Sequence, residues 1–168
     1  MSSEHLSLEM GYRPGAIGRV TELHAAYYSR HAGFGLAFER VVAQGLCDFC
    51  ARYEPGRDGL WLVMRDGQIE GSIAIDGLHA HTQGAHLRWF IVSDALRGQG
   101  LGRQLLRTAM DFCRTAGHEH TYLWTFAGLD AARHLYEAEG FELRHEAPGS
   151  QWGLEVREQR FEWVRALA

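Results

Sequence analysis

Three glycines at alternate positions, in Arg97-Gly98-Gln99-Gly100-Leu101-Gly102, stand between an apolar run ending at Val92 and a helix-periodic segment reaching Ala116. No other feature of the chain restricts its fold so much. A strand that passes through a loop poor in side chains straight into an amphipathic helix belongs to a layered α/β arrangement, with the helix packed back on the sheet. The missing side chains let successive backbone N–H groups converge on an anion, and the helix N-terminus adds a partial positive charge. Arg97 and Arg103 flank the loop and can pair with phosphate oxygens. The chemistry implied is pyrophosphate binding.

Around this unit the chain reads as regular elements. Residues 6–12 form a strand stopped by Arg13-Pro14-Gly15, and residues 16–31 a helix with Ile17, Val20, Leu23, His24 and Tyr27 at helical spacing. A second helix, 36–53, ends in Glu54-Pro55-Gly56. Strands 60–65 and 68–76 are joined by Asp66-Gly67, a strong hairpin signal. The strand over 85–92 is nearly apolar in its second half, which predicts burial on both faces. After the long helix come a strand over 120–126 and a helix over 130–139, capped by Asp130 and ended by Gly140. Two strands, 141–147 and 151–163, then turn around Pro148-Gly149. The expectation is one α/β domain over 1–168: a single mixed, mostly antiparallel sheet of about seven strands flanked by about four helices.

Composition removes several classes of function. The 168 residues suffice for a core without staples, and a net charge of -4 argues against broad attraction to nucleic acid or an acidic membrane surface. The start, Met1-Ser2-Ser3-Glu4-His5, lacks the basic-then-apolar pattern of a secretory signal. No apolar run approaches the roughly 20 residues of a membrane span, so a soluble cytoplasmic protein is expected. Three cysteines give no disulfide framework. Cys47 and Cys50 share one face of the second helix and read as small core hydrophobes. His79-x-His81 and His118-x-His120 lack a third ligand, so no metal site is expected.

The loop excludes two phosphate-binding patterns. No lysine and hydroxyl follow Gly102 as a Walker A loop requires, and the glycine spacing is one residue short of a dinucleotide fingerprint, although Glu119 lies near that fingerprint's acid. The pattern Arg97-x-x-Gly100-x-Gly102 remains. With the strand Leu87–Val92 before it and the helix after it, this segment resembles the GNAT N-acetyltransferases. A second match, Ala131-Ala132-Arg133-His134-Leu135-Tyr136-Glu137-Ala138-Glu139-Gly140-Phe141, is similar to that family's late helix and its ending. The tail Pro148-Gly149-x-x-Trp152-Gly153 and Glu158-Gln159-Arg160 also resembles acetyltransferase domains fused to MarR-type regulators.

The resemblance implies a sheet splayed at its central strands and transfer of an acetyl group from acetyl-CoA to a primary amine of a small molecule or peptide. It implies cofactor binding by Ile91, Val92, Arg97, Gly98, Gln99, Gly100, Leu101, Gly102 and Arg103. The family's asparagine before the late helix has leucine, Leu129, at its place here. Tyr136 matches the family's acid; by spacing alone it reads as a core tyrosine on the buried face of a short helix. A base must also deprotonate the amine, since only about one lysine-like amine in 10³ is neutral at pH 7. Counting back by twos from Val92 puts Phe90, Arg88 and His86 on one face, where His86 is either the candidate base or a strand-end histidine in solvent, with Glu39 and Asp76 in reserve. Arg88 can hold a substrate carboxylate or a structural ion pair. Tyr27, Tyr28, Phe34 and Phe38 can line an acceptor pocket or fill the core. Homodimers are common in the family, but no residue pattern here bears on that. Two rivals are a non-catalytic acyl-CoA sensor and a nicotinamide-binding enzyme.

Overall fold

Asp66 and Gly67 both take positive φ, 49° and 82°, in the computed structural model, which describes residues 5–167. That is the backbone of the tight hairpin turn their sequence favours. Residues 1–4, on which the leader reading partly rests, and residue 168 lie outside the described residues. In chain order the elements are β1 (Leu6–Met10), α1 (Ala16–Ala32), α2 (Leu36–Ala51), β2 (Gly59–Arg65), β3 (Gln68–Asp76) and β4 (Ala85–Val92). There follow α3 (Leu101–Ala116), β5 (His120–Phe126), α4 (Asp130–Ala138), β6 (Glu142–Gly149) and β7 (Val156–Val164). The strands form one sheet in the order β1-β2-β3-β4-β5-β7-β6. All neighbours are antiparallel except β4 and β5, which α3 connects as a parallel pair.

Both faces of the sheet are covered. α1 and α2 bury Val20, Phe38, Val42, Leu46 and Phe49 against Leu60, Leu62, Met64 and Trp89. On the other face α3 buries Leu105, Leu106, Ala109 and Met110 against Trp61, Val63, Ile73, Ile75 and Leu87, and Tyr136 and Phe141 extend that core. Among the described residues no helix is long and apolar enough to cross a membrane.

Some local expectations fail for identifiable reasons. Pro148 and Gly149 stay in β6, paired with Arg157 and Val156, and residues 150–155 make the reversal. β6 is the sheet's edge, where proline is tolerated. Asp130 makes no capping bond; Leu129 holds the cap position, and Asp130 is the first residue of α4. Cys47 is exposed and Cys50 half-buried, because α2 buries the stripe Phe38, Val42, Leu46 and Phe49. Cys47 lies about 100° round the helix from Leu46. β1 and α2 each end two residues before the expected stop.

The departure that shapes the site is a bulge in β4. Ala74 pairs Arg88 and Ser72 pairs Ile91, so three steps along β4 oppose two along β3. Trp89 carries the extra residue at φ 49°, an unusual value for a bulky side chain, and the Ser72 hydroxyl donates to its carbonyl at 2.6 Å. Alternation breaks there. Arg88 and Trp89 both pack toward Gly45 of α2, whereas Phe90 turns toward Gly102 of α3 and Tyr136 of α4. Phe90 therefore does not share a face with Arg88 and His86. Just beyond, β4 and β5 pair only at Ala85–Thr121 and His86–Tyr122 before they diverge.

Candidate functional site

β4 passes through a short 3-10 turn, Asp94–Leu96, into the glycine loop. Gly98 and Gly100 hold φ of 78° and 79°, values that L side chains resist. A Cβ at either would meet nothing within 4 Å, so it would project into open space. Among the described residues the amides of Gly98, Gln99, Gly100, Leu101, Gly102 and Arg103 find no protein acceptor. The next amide, that of Gln104, donates to the Gly100 carbonyl at 3.1 Å. Free amides at the start of a long helix form an anion site. Arg97 folds back beside them: its Nε donates to the Val92 carbonyl at 3.1 Å, and its guanidinium stacks 3.9 Å above Tyr27.

From this loop a groove of about 760 Å³ runs between the end of β4 and the start of α4. Its walls include Tyr27, Ile91, Val92, the loop from Arg97 to Arg103 except Gln99, and Leu129 to Ala132. Its size and its one anion-binding end suit a long ligand that carries phosphates at that end.

A second, smaller pocket of about 180 Å³ lies on the α1–α2 side. His24, Phe38, His86, Arg88, Trp89, Trp124, Phe126 and Trp152 line it. Tyr28, Phe90 and Tyr136 line both cavities and mark the place where they meet. No carboxylate lines the small pocket among the described residues.

Asp76 is held away from it by both guanidinium nitrogens of Arg52, at 2.9 and 2.7 Å, and by Arg88 at 3.2 Å. Burial alone would raise its pKa, but these bonds and the Leu78 amide bring the carboxyl down to about 2. Arg88 lies 4.1 Å above the Trp89 ring, and Asp76 is the only protein acceptor it finds among the described residues. Its other N–H groups are free for a ligand.

Both pocket histidines are neutral. Burial pulls His24 down to about 4 although its Nδ1, 2.8 Å from the Val20 carbonyl, donates there. Burial and the Arg88 charge pull His86 down to about 3. The His86 ring stacks on Tyr122 with centroids 4.5 Å apart. The histidine ionisation near pH ~6.5 expected of a base is therefore displaced far to acid. Burial, with Tyr28 adding to it, raises Tyr136 above the ordinary phenol range, and burial with Tyr27 pushes Tyr28 up to about 12.

The expected residues thus divide. The loop glycines, Leu101, Arg97, Arg103, Ile91 and Val92 meet at the groove, and Tyr136, Tyr28, Phe38, His86 and Arg88 at the small pocket. Tyr27 borders the groove instead of the smaller pocket, and Phe34 is buried behind the wall against Phe38, Phe126 and Trp152. Glu39 is exposed and lines neither cavity, and the Gln99 side chain does not line the groove. His24, Trp89, Trp124 and Trp152 are additions. Of these His24 carries a sequence signal, a polar residue inside the buried stripe of α1, one turn before Tyr28, and Trp152 lies in the tail motif, where nothing marks it for a pocket. Among the described residues no three His, Cys, Asp or Glu side chains gather as a metal site.

A family model for the acetyltransferase (GNAT) family matches residues 19–141. The chain is 31% identical to YjgM, an uncharacterized N-acetyltransferase of Escherichia coli, over 76% of this chain and 75% of that protein. It is 33% identical to the aminoalkylphosphonate N-acetyltransferase of Salmonella typhimurium, over 50% of this chain and 56% of that protein. In fold it is similar to yncA of Salmonella typhimurium, a proposed acetyltransferase solved with its cofactor acetyl-CoA. There the TM-score is 0.74 at 16% identity, covering 99% of this chain and 96% of that one.

Proposed function

This chain belongs to the acetyltransferase (GNAT) family, and from that premise we propose that residues 5–167 act as one unit that acetylates the primary amine of a small anionic molecule. The observation that carries this reading is the meeting of two cavities at Tyr28, Phe90 and Tyr136, one edged by free amides and the other by a free guanidinium edge. Bound in the groove, acetyl-CoA supplies an acyl group activated as a thioester. The amides of residues 98–103, with Arg97 and Arg103, hold its pyrophosphate. Ile91 and Val92, redirected by the bulge, present backbone to its acyl end. Leu129 offers an apolar contact where the family has asparagine.

The Tyr136 hydroxyl stands at the junction to give the leaving sulfur a proton. Its raised pKa keeps it protonated at every working pH, so it is a donor and never the base. The amine enters the aromatic pocket with its anionic group on Arg88, which still has N–H groups to offer. At about 180 Å³ the pocket is smaller than the ~300 Å³ at which drug-sized sites begin, which favours a small acceptor over a peptide. The relative named for aminoalkylphosphonates acts on molecules that join an amine to an anion, which supports this choice. Trp152, in the tail similar to MarR-fused acetyltransferase domains, closes the acceptor wall. His24 and His86 are the two neutral imidazoles available to the amine proton.

Thiol release from acetyl-CoA tests the proposal, with 2-aminoethylphosphonate, β-alanine and propylamine as acceptors. The first two should react, and faster than propylamine. Thermal stabilisation by acetyl-CoA without thiol release from any amine would leave only a sensor of acyl-CoA. Stabilisation by NADH and not by acetyl-CoA would overturn the whole reading.

A further inference from the structure

His24 is at once among the most enclosed polar side chains of the molecule and part of the wall of the acceptor pocket, with 5% of its surface exposed. Its ring is not free to choose a tautomer. Nδ1 lies 2.8 Å from the Val20 carbonyl, one turn earlier in α1, and a carbonyl only accepts. The proton is therefore on Nδ1, and Nε2 carries a lone pair for which no protein donor exists among the described residues. One turn later on the same helix face Tyr28 reaches the junction of the two cavities, its ring 6.3 Å from that of His24. The groups facing this pocket from other elements are His86 and Arg88 of β4 and Tyr136 of α4. His86 is worse placed to take a proton. It stacks on Tyr122, no protein partner fixes its tautomer among the described residues, and the positive charges of Arg88 and Arg160 act against its protonation, offset only in part by Asp76.

Building on the transfer reading above, we infer that His24 Nε2, and not His86, accepts the proton of the acceptor amine. The amine enters as its neutral form, its ammonium proton left to solvent; as its nitrogen forms a bond to the acyl carbon with its lone pair, the N–H proton it then sheds passes to Nε2, leaving an imidazolium. The C–S bond breaks with its electron pair on sulfur, and the Tyr136 hydroxyl protonates that sulfur. The imidazolium then loses its proton to solvent and Tyr136 regains one, so the side chains return to their starting state. Tyr28 and Phe38 position the amine between the two rings.

The test combines kinetics with a readout independent of turnover. With acetyl-CoA and 2-aminoethylphosphonate, His24→Phe should keep the wild-type thermal shift on acetyl-CoA while the rate falls about 10²-fold, the usual range for a positioned base. His86→Phe should lose less than about tenfold, below that range. In His24→Ala, added imidazole should restore part of the rate, whereas pyrazole, of the same shape and far less basic, should not. Nitrogen-15 spectra of labelled wild-type protein should show His24 with the proton on Nδ1 and Nε2 bare. A His24→Phe rate near wild type, equal rescue by pyrazole, or a proton on Nε2 would each overturn the inference. Absence of thiol release from wild type with every amine tried would take down the transfer reading, and this inference with it.

Discussion

Lowering the pH from 7 to 5 should remove about 2 kcal/mol of stability through His24 alone. The ordinary histidine pKa is about 6.5, and burial brings that of the folded His24 to about 4. A depressed base works in one direction. Below pH 6.5 the unfolded chain binds a proton that the native chain refuses, so stability is full above 6.5, falls toward pH 4 and is level beneath it. At pH 5 the protonated fraction outweighs the neutral one by about 30 to 1 in the unfolded state and is about one in ten in the native state, which gives the figure above. In a chain of this size that is a fall in Tm of about 4–8 °C. His86, lowered to about 3, adds a loss of similar size between pH 7 and 5 and goes on losing stability down to about pH 3. Asp76 does not contribute there. Its folded carboxyl is at about 2, so its stabilisation is lost only as pH falls from near 3.8 through 2. The assay is urea unfolding at pH 7 and pH 5 for wild type and His24→Phe. Only the pH difference within each protein is compared, so a packing effect of phenylalanine cancels. The variant should lose about 2 kcal/mol less than wild type between the two pH values. Equal losses would refute the placement of a buried, neutral imidazole at position 24.

Gly100→Ala should remain folded at a cost of about 1–2 kcal/mol for its left-handed backbone. It should lose most of the thermal shift that acetyl-CoA gives the wild type, because the added methyl projects into open space beside the free amides. Tyr136→Phe deletes a hydroxyl that no protein partner holds among the described residues, so urea stability should stay within about 0.5 kcal/mol while kcat falls about 10²-fold at unchanged acetyl-CoA affinity. Because Tyr136 and Tyr28 ionise well above their ordinary range, the rate with an amine already neutral at pH 8 should show no decline between pH 8 and 10. A decline there that Tyr136→Phe abolishes would reverse the assignment of the donor. Arg88→Met should raise KM for 2-aminoethylphosphonate about tenfold or more, the loss of a charge-assisted pair, and leave that for propylamine nearly unchanged.

Much of this protein is local enough to be legible in one dimension. The loop from Arg97 to Gly102 announces itself because free amides at a helix start require glycine at those positions, and the φ of Gly98 and Gly100 bears this out. The Asp66-Gly67 turn, β3, β4 and β5 follow from residue chemistry within each short segment, and their bounds agree with the expected ones. The face that each side chain of β4 presents does not follow in that way. Strict alternation puts Phe90 beside Arg88 and His86, but the extra residue at Trp89 exists only because β3 lies alongside and Ser72 holds its carbonyl. The histidines show the same division. Sequence can supply an imidazole on a strand or a helix, and even put Arg88 beside His86, but burial decides its protonation, and the elements that bury it, with the charges of Asp76 and Arg160 that reach His86, come from distant parts of the chain. The aromatic wall likewise gathers Tyr28, Phe38, Trp89, Phe126 and Trp152 from separate elements. The sequence alone determined the order of elements, the glycine loop that opens α3 and the place of Tyr136 in α4, since each depends on neighbours within a few residues. Tertiary structure alone decided how deeply each ionisable side chain is buried and which charges of other strands act on it, because desolvation and Coulomb interactions depend on distance in space and not on separation along the chain.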